Sequence, residues 1–412
     1  MSRLPLAGLR VLDFTWVIAG PYGTFHLAQL GAEVIKVEGI ERFDQNRDHI
    51  PFAGRVPGLN RSGQFHYMNA GKQGVSLDIT NAQDRETVLR LASVCDVVTE
   101  NFSVGVLDRY GLGYPAIRKT RPDVVMISCS GFGQTGPMSG YSAYMNTIQG
   151  FTGMVDQNGT PGAAPNPLAV NWADYVAGTA MAFAIMAALH HRERTGKGQY
   201  IDLSMAENLM AMMGVPFMEY FASGRVPERM SNRSTSALQG VYKCSGDDRW
   251  LAIAVTNDGE WRALCKAMGN PAWAADPRFA RMGSRLQAQD AIDAHIAKWT
   301  ADKDAWDATR LLQAAGVPAG PTATAGDLAK DPHLRARGFL TSVETPDMGS
   351  RDYMGLPYVL SQPRGVRGPA PALGEHNRQV LGGLLGCPQA YVESRSQAAK
   401  QRMETFFQGK SH

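Results

Sequence analysis

Residues 9–38 carry the pattern that most restricts how this chain can fold: LRVLDF (9–14), GPYGTFHLAQLGA (20–32) and EVIKVE (33–38). The outer two segments are short, apolar and rich in β-branched residues, whereas the middle one spaces its apolar side chains as a helix does. Strand, helix, strand in so little sequence is a βαβ unit, which obliges its two strands to run parallel. The pattern continues. GVSLDI (74–79), DVVTEN (96–101), VVMISCSG (124–131) and QYIDLSM (199–205) read as further strands. Helical segments at 81–94 and 104–119, a long one beginning near Asp174 and a Met-rich one after 205 lie between and beyond them. An α/β fold with a parallel sheet covered on both faces is expected, the glycine-rich composition supplying tight turns.

Length and composition then divide the chain. At 412 residues it is too long for one ordinary core, so two or three domains are expected. Residues 1–222 form the large part, and the polar, basic SGRVPERMSNRSTSALQG (223–240) reads as a linker. A smaller domain over 241–335 opens with a hairpin, turning at Gly246-Asp247-Asp248, and continues with helices at about 259–268, 288–299 and 303–315. Residues 336–412 are a Pro/Gly-rich return with short extended pieces, ending in a charged helix over 392–408. There are no internal repeats.

Several classes of function are set aside. The net charge of +3 creates no field for a polyanion, so nucleic acid is not expected as a partner. Five scattered cysteines without a C-x-x-C pair suit a reducing compartment and give neither a disulfide framework nor a zinc site; no metal is expected. The N-terminus has no secretory h-region. The longest apolar run, Val176–Leu189, is shorter than the ~20 residues a bilayer requires and is expected as a buried core helix. A cytoplasmic protein without membrane contact follows. His190 and His191 close that helix, where positive charge suits the dipole.

Asp174 opens the long helix and has two readings. As an N-cap its carboxylate accepts backbone N–H groups. In the same place it is held ionised by donors and dipole, and so serves as a nucleophile at neutral pH. After the first strand the sequence FTWVIAGPYGT lacks the G-x-G-x-x-G fingerprint, and no P-loop occurs, which excludes an ordinary nicotinamide-dependent oxidoreductase. A nucleotide would need backbone amides and scattered polar side chains, with Asn69, Lys72, Asn101 and Arg109 as candidates at strand ends. Met205, Met210, Met212, Met213 and Met218 read as core, or alternatively as a flexible acyl pocket.

Taken in order, these segments resemble the family III CoA-transferases, which also include the α-methylacyl-CoA racemases. The matching stretches are LRVLDFTWVIAGPYGT…LAQLGAEVIKVE (9–38), YMNAGKQGVSLDI (67–79), DVVTENFSVGVLDRYGLGY (96–114), SGFGQTGP (130–137), the Asp174 helix, RTGKGQYIDLSMAE (194–207), AAGVPAGP (314–321) and LGEHN (373–377). The resemblance implies a large Rossmann-like domain built from both ends of the chain, a small inserted domain, and a homodimer of two interlocked open rings. It implies Asp174 as the nucleophile and CoA contacts at Val17, Ile18, Ala19, Leu77, Asp78, Asn101, Phe102 and Arg109. The implied substrates are an acyl-CoA and a small carboxylic acid, with no permanently bound cofactor. Two departures narrow it. Formyl-CoA:oxalate transferases carry glutamine at the place of Ile18, arginine at that of Gly39, and a glycine run for which CSGDDRW (244–250) is no match, which points away from oxalate. The racemases carry a histidine where this chain has Tyr141, and a phenol is a poor proton exchanger at neutral pH. The expected activity is acyl-CoA:carboxylate CoA transfer through an aspartyl–acyl anhydride. The rivals are a racemase using Asp174 as a proton-transfer base and a non-catalytic CoA-ester-binding protein.

Overall fold

The computed structural model describes residues 4–361 and 366–408. They fall into two compact units. One comprises the chain up to Val155, Pro167–Arg225 and the residues from Pro332 onward; the other comprises Asp156–Asn166 and Val226–Asp331.

The first unit is built on six strands: β1 (Arg10–Asp13), β2 (Glu33–Glu38), β3 (Gln73–Ser76), β4 (Val97–Glu100), β5 (Val125–Ser130) and β6 (Tyr200–Ser204). Their order is β3-β2-β1-β4-β5-β6 and every pairing is parallel. The α/β expectation is met strand for strand. Because the chain first winds outward through β2 and β3 and then restarts at β4 on the other side of β1, a crevice opens beyond the carboxyl ends of β1 and β4. One face of the sheet packs Val11, Val34, Val97 and Ile127 on the helices Ala19–Gln29 and Trp172–Thr195. The other packs Leu12, Ile35, Val75 and Val98 with Val88 and Leu91, and is completed by Val380, Leu381 and Val392 from the C-terminal return.

Two close approaches set where the crevice's helices begin. A Cβ on Gly23 would stand 2.9 Å from the Gly178 carbonyl oxygen, and one on Gly178 would stand 2.6 Å from that of Ala19. Only glycine at both positions lets the Ala19 and Trp172 helices cross this tightly. One turn earlier on each helix lie Ala19 and Asp174.

Some expectations are corrected. Residues 104–119 form two short helices, Val106–Arg109 and Tyr114–Thr120, separated by Gly111 at φ +71. The Met-rich stretch breaks at Met213 into Met205–Met210 and Gly214–Ser223. Met205 and Met213 are buried but Met212 and Met218 are exposed, so the five methionines are not one core. The Trp172–Thr195 helix is not wholly buried either: Ala173, Ala177, Gly178, Met181, Ala182, Ile185 and Ala188 form an internal stripe, whereas Phe183 is 70% exposed. An i, i+4 stripe is what a helix lying on a sheet buries. This helix is 24 residues long and apolar enough to cross a membrane by length and composition.

The second unit has three antiparallel strands in the order β7 (Leu238–Lys243), β8 (Trp250–Val255), β9 (Ala319–Pro321). Helices Asp258–Ala267, Gln289–Thr300 and Ala305–Ala314 close its core around Trp261, Leu264, Ile292, Ile296 and Leu312. Asp156–Asn166, which the sequence pattern does not separate, is tied to this unit by Arg229, which binds the Asp156 and Ala163 carbonyls at 3.0 Å each. All five cysteines are buried and unpaired.

Candidate active site

The segment between β1 and the Ala19 helix is fixed by buried charge. Asp13, fully buried, accepts hydrogen bonds from the Thr15 N–H, Thr24 Oγ1 and Lys72 Nζ. Burial raises its pKa, but Lys72, Lys36 and Thr15 outweigh that and hold the carboxyl below the usual range. Lys36 pairs with Asp44 at 2.9 Å and donates to the Thr15 carbonyl at 2.6 Å. Arg47 binds both oxygens of Glu38. Asn69 and Lys72, expected among nucleotide contacts, belong to this interior: Lys72 is spent on Asp13, Thr24, Asn69 and the Pro21 carbonyl.

Beyond it, Val17 stands at φ +67. That is an unfavourable conformation for a β-branched residue and persists only where its surroundings impose it. Ile18 and Ala19, which follow Val17 into the helix, are buried.

Asp174 is not the N-cap. The helix starts at Trp172, its cap position is Asn171, and Asp174 lies in the first turn. Burial pushes its carboxyl up to about 6, opposed by the backbone N–H groups of Ala19 and of Asp174 itself. It is therefore ionised at pH 7 yet more basic than a solvated aspartate, the combination a carboxylate nucleophile requires.

A cleft of about 250 Å³ at the carboxyl end of the sheet gathers Leu77, Asp78, Phe102 and Arg109 with Phe14, Trp16, Gly39 and Arg42. At that size it accommodates one section of a long ligand. Trp16 and Phe102 meet edge to face at 5.3 Å as an aromatic wall, and the buried Trp16 Nε1–H has no acceptor among the described residues. Arg42 and Arg109 bring positive charge, suited to phosphates. The sequence reading did not single out Arg42. A turn with the Gly39 N–H bonded to the Arg42 carbonyl brings its guanidinium to the cleft, a placement that no motif signals. Asn101 follows β4 and faces the Trp16 backbone rather than the cleft. Trp16 thus stands in the cleft and Ala19, three residues on, beside Asp174. Tyr141 is 62% exposed, its ring against Phe132. Among the described residues no three His, Cys, Asp or Glu side chains are grouped to hold a metal.

A six-stranded parallel sheet of this order, with a cleft beyond the carboxyl ends of its central strands, defines an α/β protein. Residues 6–377 match CoA-transferase family III, and the chain belongs to that family. Among curated relatives it is 33% identical over 383 residues to the succinyl-CoA–D-citramalate CoA-transferase of Chloroflexus aurantiacus, covering 93% of this chain and 94% of that one. It is 35% identical over 389 residues to the succinate–glutarate CoA-transferase of Agrobacterium fabrum, covering 92% and 96%. A crystal structure of a CAIB/BAIF family protein from Brucella suis superposes with a TM-score of 0.85 at 33% identity, covering 93% of this chain and all of that one.

Proposed function

We propose that the protein transfers CoA from an acyl-CoA to a small carboxylic acid through an anhydride at Asp174. An Asp174 oxygen attacks the thioester carbonyl, the C–S bond breaks, and CoA leaves as thiolate. The acceptor carboxylate then attacks the acyl carbon, releasing Asp174 and forming a mixed anhydride of the two acids. The thiolate attacks the acceptor's carbonyl, giving the new thioester and the free donor acid. Each tetrahedral oxyanion needs nearby donors, for which the Ile18 and Ala19 N–H groups are suited. The observation that carries this reading is the half-buried Asp174, its carboxyl raised to about 6, in the first turn of a helix that crosses the start of the Ala19–Gln29 helix. CoA is substrate here, with Arg42 and Arg109 beside its phosphates and Trp16 and Phe102 beside its adenine.

Two further readings accompany it. A homodimer is supported by exposed apolar side chains on the Gly214–Ser223 helix, which buries none of its residues. A cytoplasmic location is supported by five buried, unpaired thiols.

The test is chemical. Hydroxylamine added to enzyme and acyl-CoA without acceptor should convert Asp174 to a hydroxamate, and borohydride should reduce it to homoserine, each with its own peptide mass. Asp174→Asn should remain folded, take no label and lose turnover. Near-normal turnover in that variant would overturn the mechanism, and Asp174-dependent deuterium exchange at the α-carbon of an α-methylacyl-CoA in D₂O would favour a racemase.

A further inference from the structure

The Asn101 amide is used up in an unusual place. Its Oδ1 accepts the Trp16 N–H at 2.8 Å and its Nδ2 donates to the Trp16 carbonyl at 2.9 Å. In effect the side chain prolongs the β1–β4 ladder past the point where the backbone of β4 ends. From the β2 side, Asp44 Oδ1 accepts the Val17 N–H at 3.0 Å, and Asn46 Nδ2 donates to the Val17 carbonyl. With Lys36 on the Thr15 carbonyl, every peptide group from Thr15 to Val17 is held. A β-branched residue is forced to φ +67 between the two sides.

What the clamp leaves over is informative. The Ile18 carbonyl takes the Tyr22 N–H at 2.8 Å, but the Ile18 N–H has no acceptor among the described residues. The Ala19 backbone donor is one of two that favour the ionised Asp174 carboxyl, and the Ala19 carbonyl lies against Gly178, one turn beyond Asp174 on its helix. The first two peptide donors beyond the clamp thus open the helix that crosses Asp174's own, and one of them has no acceptor among the described residues.

We infer that Asn101 is a positioning residue for transfer at Asp174: by clamping the Trp16 peptide it fixes where the Ile18 and Ala19 N–H groups stand. This rests on the anhydride reading above, and it differs from the CoA contact that the family resemblance implies for Asn101. A contact to CoA sets affinity, whereas a positioned donor sets the rate of the chemical step.

Asn101→Ala separates the two. With the clamp open on one side, kcat should fall roughly 10- to 100-fold, the scale of loss from an ångström of misplacement. The dissociation constant for free CoA, measured calorimetrically, and KM for acyl-CoA should stay within about threefold, since uniform binding is left in place. The acid limb of kcat/KM, expected near pH 6 from Asp174, should move upward as the Ala19 donor withdraws. A purely structural asparagine would lower Tm without moving that limb. If Asn101→Ala does not fold, Asn101→Ser, which keeps one hydrogen bond, carries the same comparison. A tenfold weaker CoA affinity with kcat unchanged would overturn the inference and make Asn101 a CoA contact. Absence of any hydroxamate on wild-type Asp174 would instead sink the anhydride reading itself.

Discussion

Asp174 couples stability to the proposed chemistry at the scale of one residue. Its pKa rises from 3.8 to about 6 because burial outweighs its two backbone donors. A carboxyl raised in the folded state supports folding fully below its unfolded pKa, and that support is lost as pH rises through the folded value. Between about pH 4 and pH 6 the folded protein therefore loses stability on this account, and above pH 6 the deficit is constant. At ~1.4 kcal/mol per unit the ceiling is about 3 kcal/mol, and partial exposure reduces it to roughly 1–2. Asp174→Asn does not titrate, so it should melt a few degrees above wild type at pH 7.5 and lose that margin by pH 4, while inactive. Thermal scans at both pH values check this. A variant that melts below wild type at pH 7.5 would show the carboxylate to be a structural anchor rather than strained machinery.

At the scale of elements, the crossing of the Ala19 and Trp172 helices decides how closely Ala19 approaches Asp174. Gly178→Ala places a methyl 2.6 Å from the Ala19 carbonyl oxygen and 3.0 Å from the Gly23 nitrogen. Overpacking costs about 1–3 kcal/mol, of which alanine's helix propensity returns up to ~1. The variant should lose a few degrees of Tm and at least roughly tenfold in kcat, since the two first turns part. A fully active, equally stable Gly178→Ala would show slack in the crossing. The same elements mark what the sequence could reveal. β1 and β2 are legible because a buried parallel strand must be a short apolar run, and Asp174 because its helix follows a recognisable string of motifs. Arg42 is not, since a local turn carries it into the cleft. Nor is the Asn101 amide's role, which depends on a partner far away in sequence. Val17 takes a conformation its own side chain disfavours, so local propensity points the wrong way. Gly111 splits the 104–119 stretch in two, and the second helix starts afresh with Pro115 in its first turn.

At the scale of the whole molecule, the exposed apolar residues have a consequence for assembly. Val215 is 80% exposed, Phe221 71%, Met218 63% and Phe183 70%, all within the larger unit. Scattered exposed apolar side chains are ordinary, but a ten-residue helix with none of its residues buried is not. Covering each such side chain is worth about 1.5–3 kcal/mol, and a two-fold pairing uses the same face twice. The gross gain, on the order of 10 kcal/mol or more, is large enough to offset the ~4–15 kcal/mol cost of association. Sedimentation at low micromolar concentration should therefore give a species of about twice 44.7 kDa. Phe217→Glu with Phe221→Glu places charge on that helix far from Asp174 in sequence, and should shift the species toward monomer or abolish folding. A wild-type protein that sediments at 44.7 kDa, or a double variant that remains as dimeric and as stable as wild type, would show that this helix is not where two copies meet.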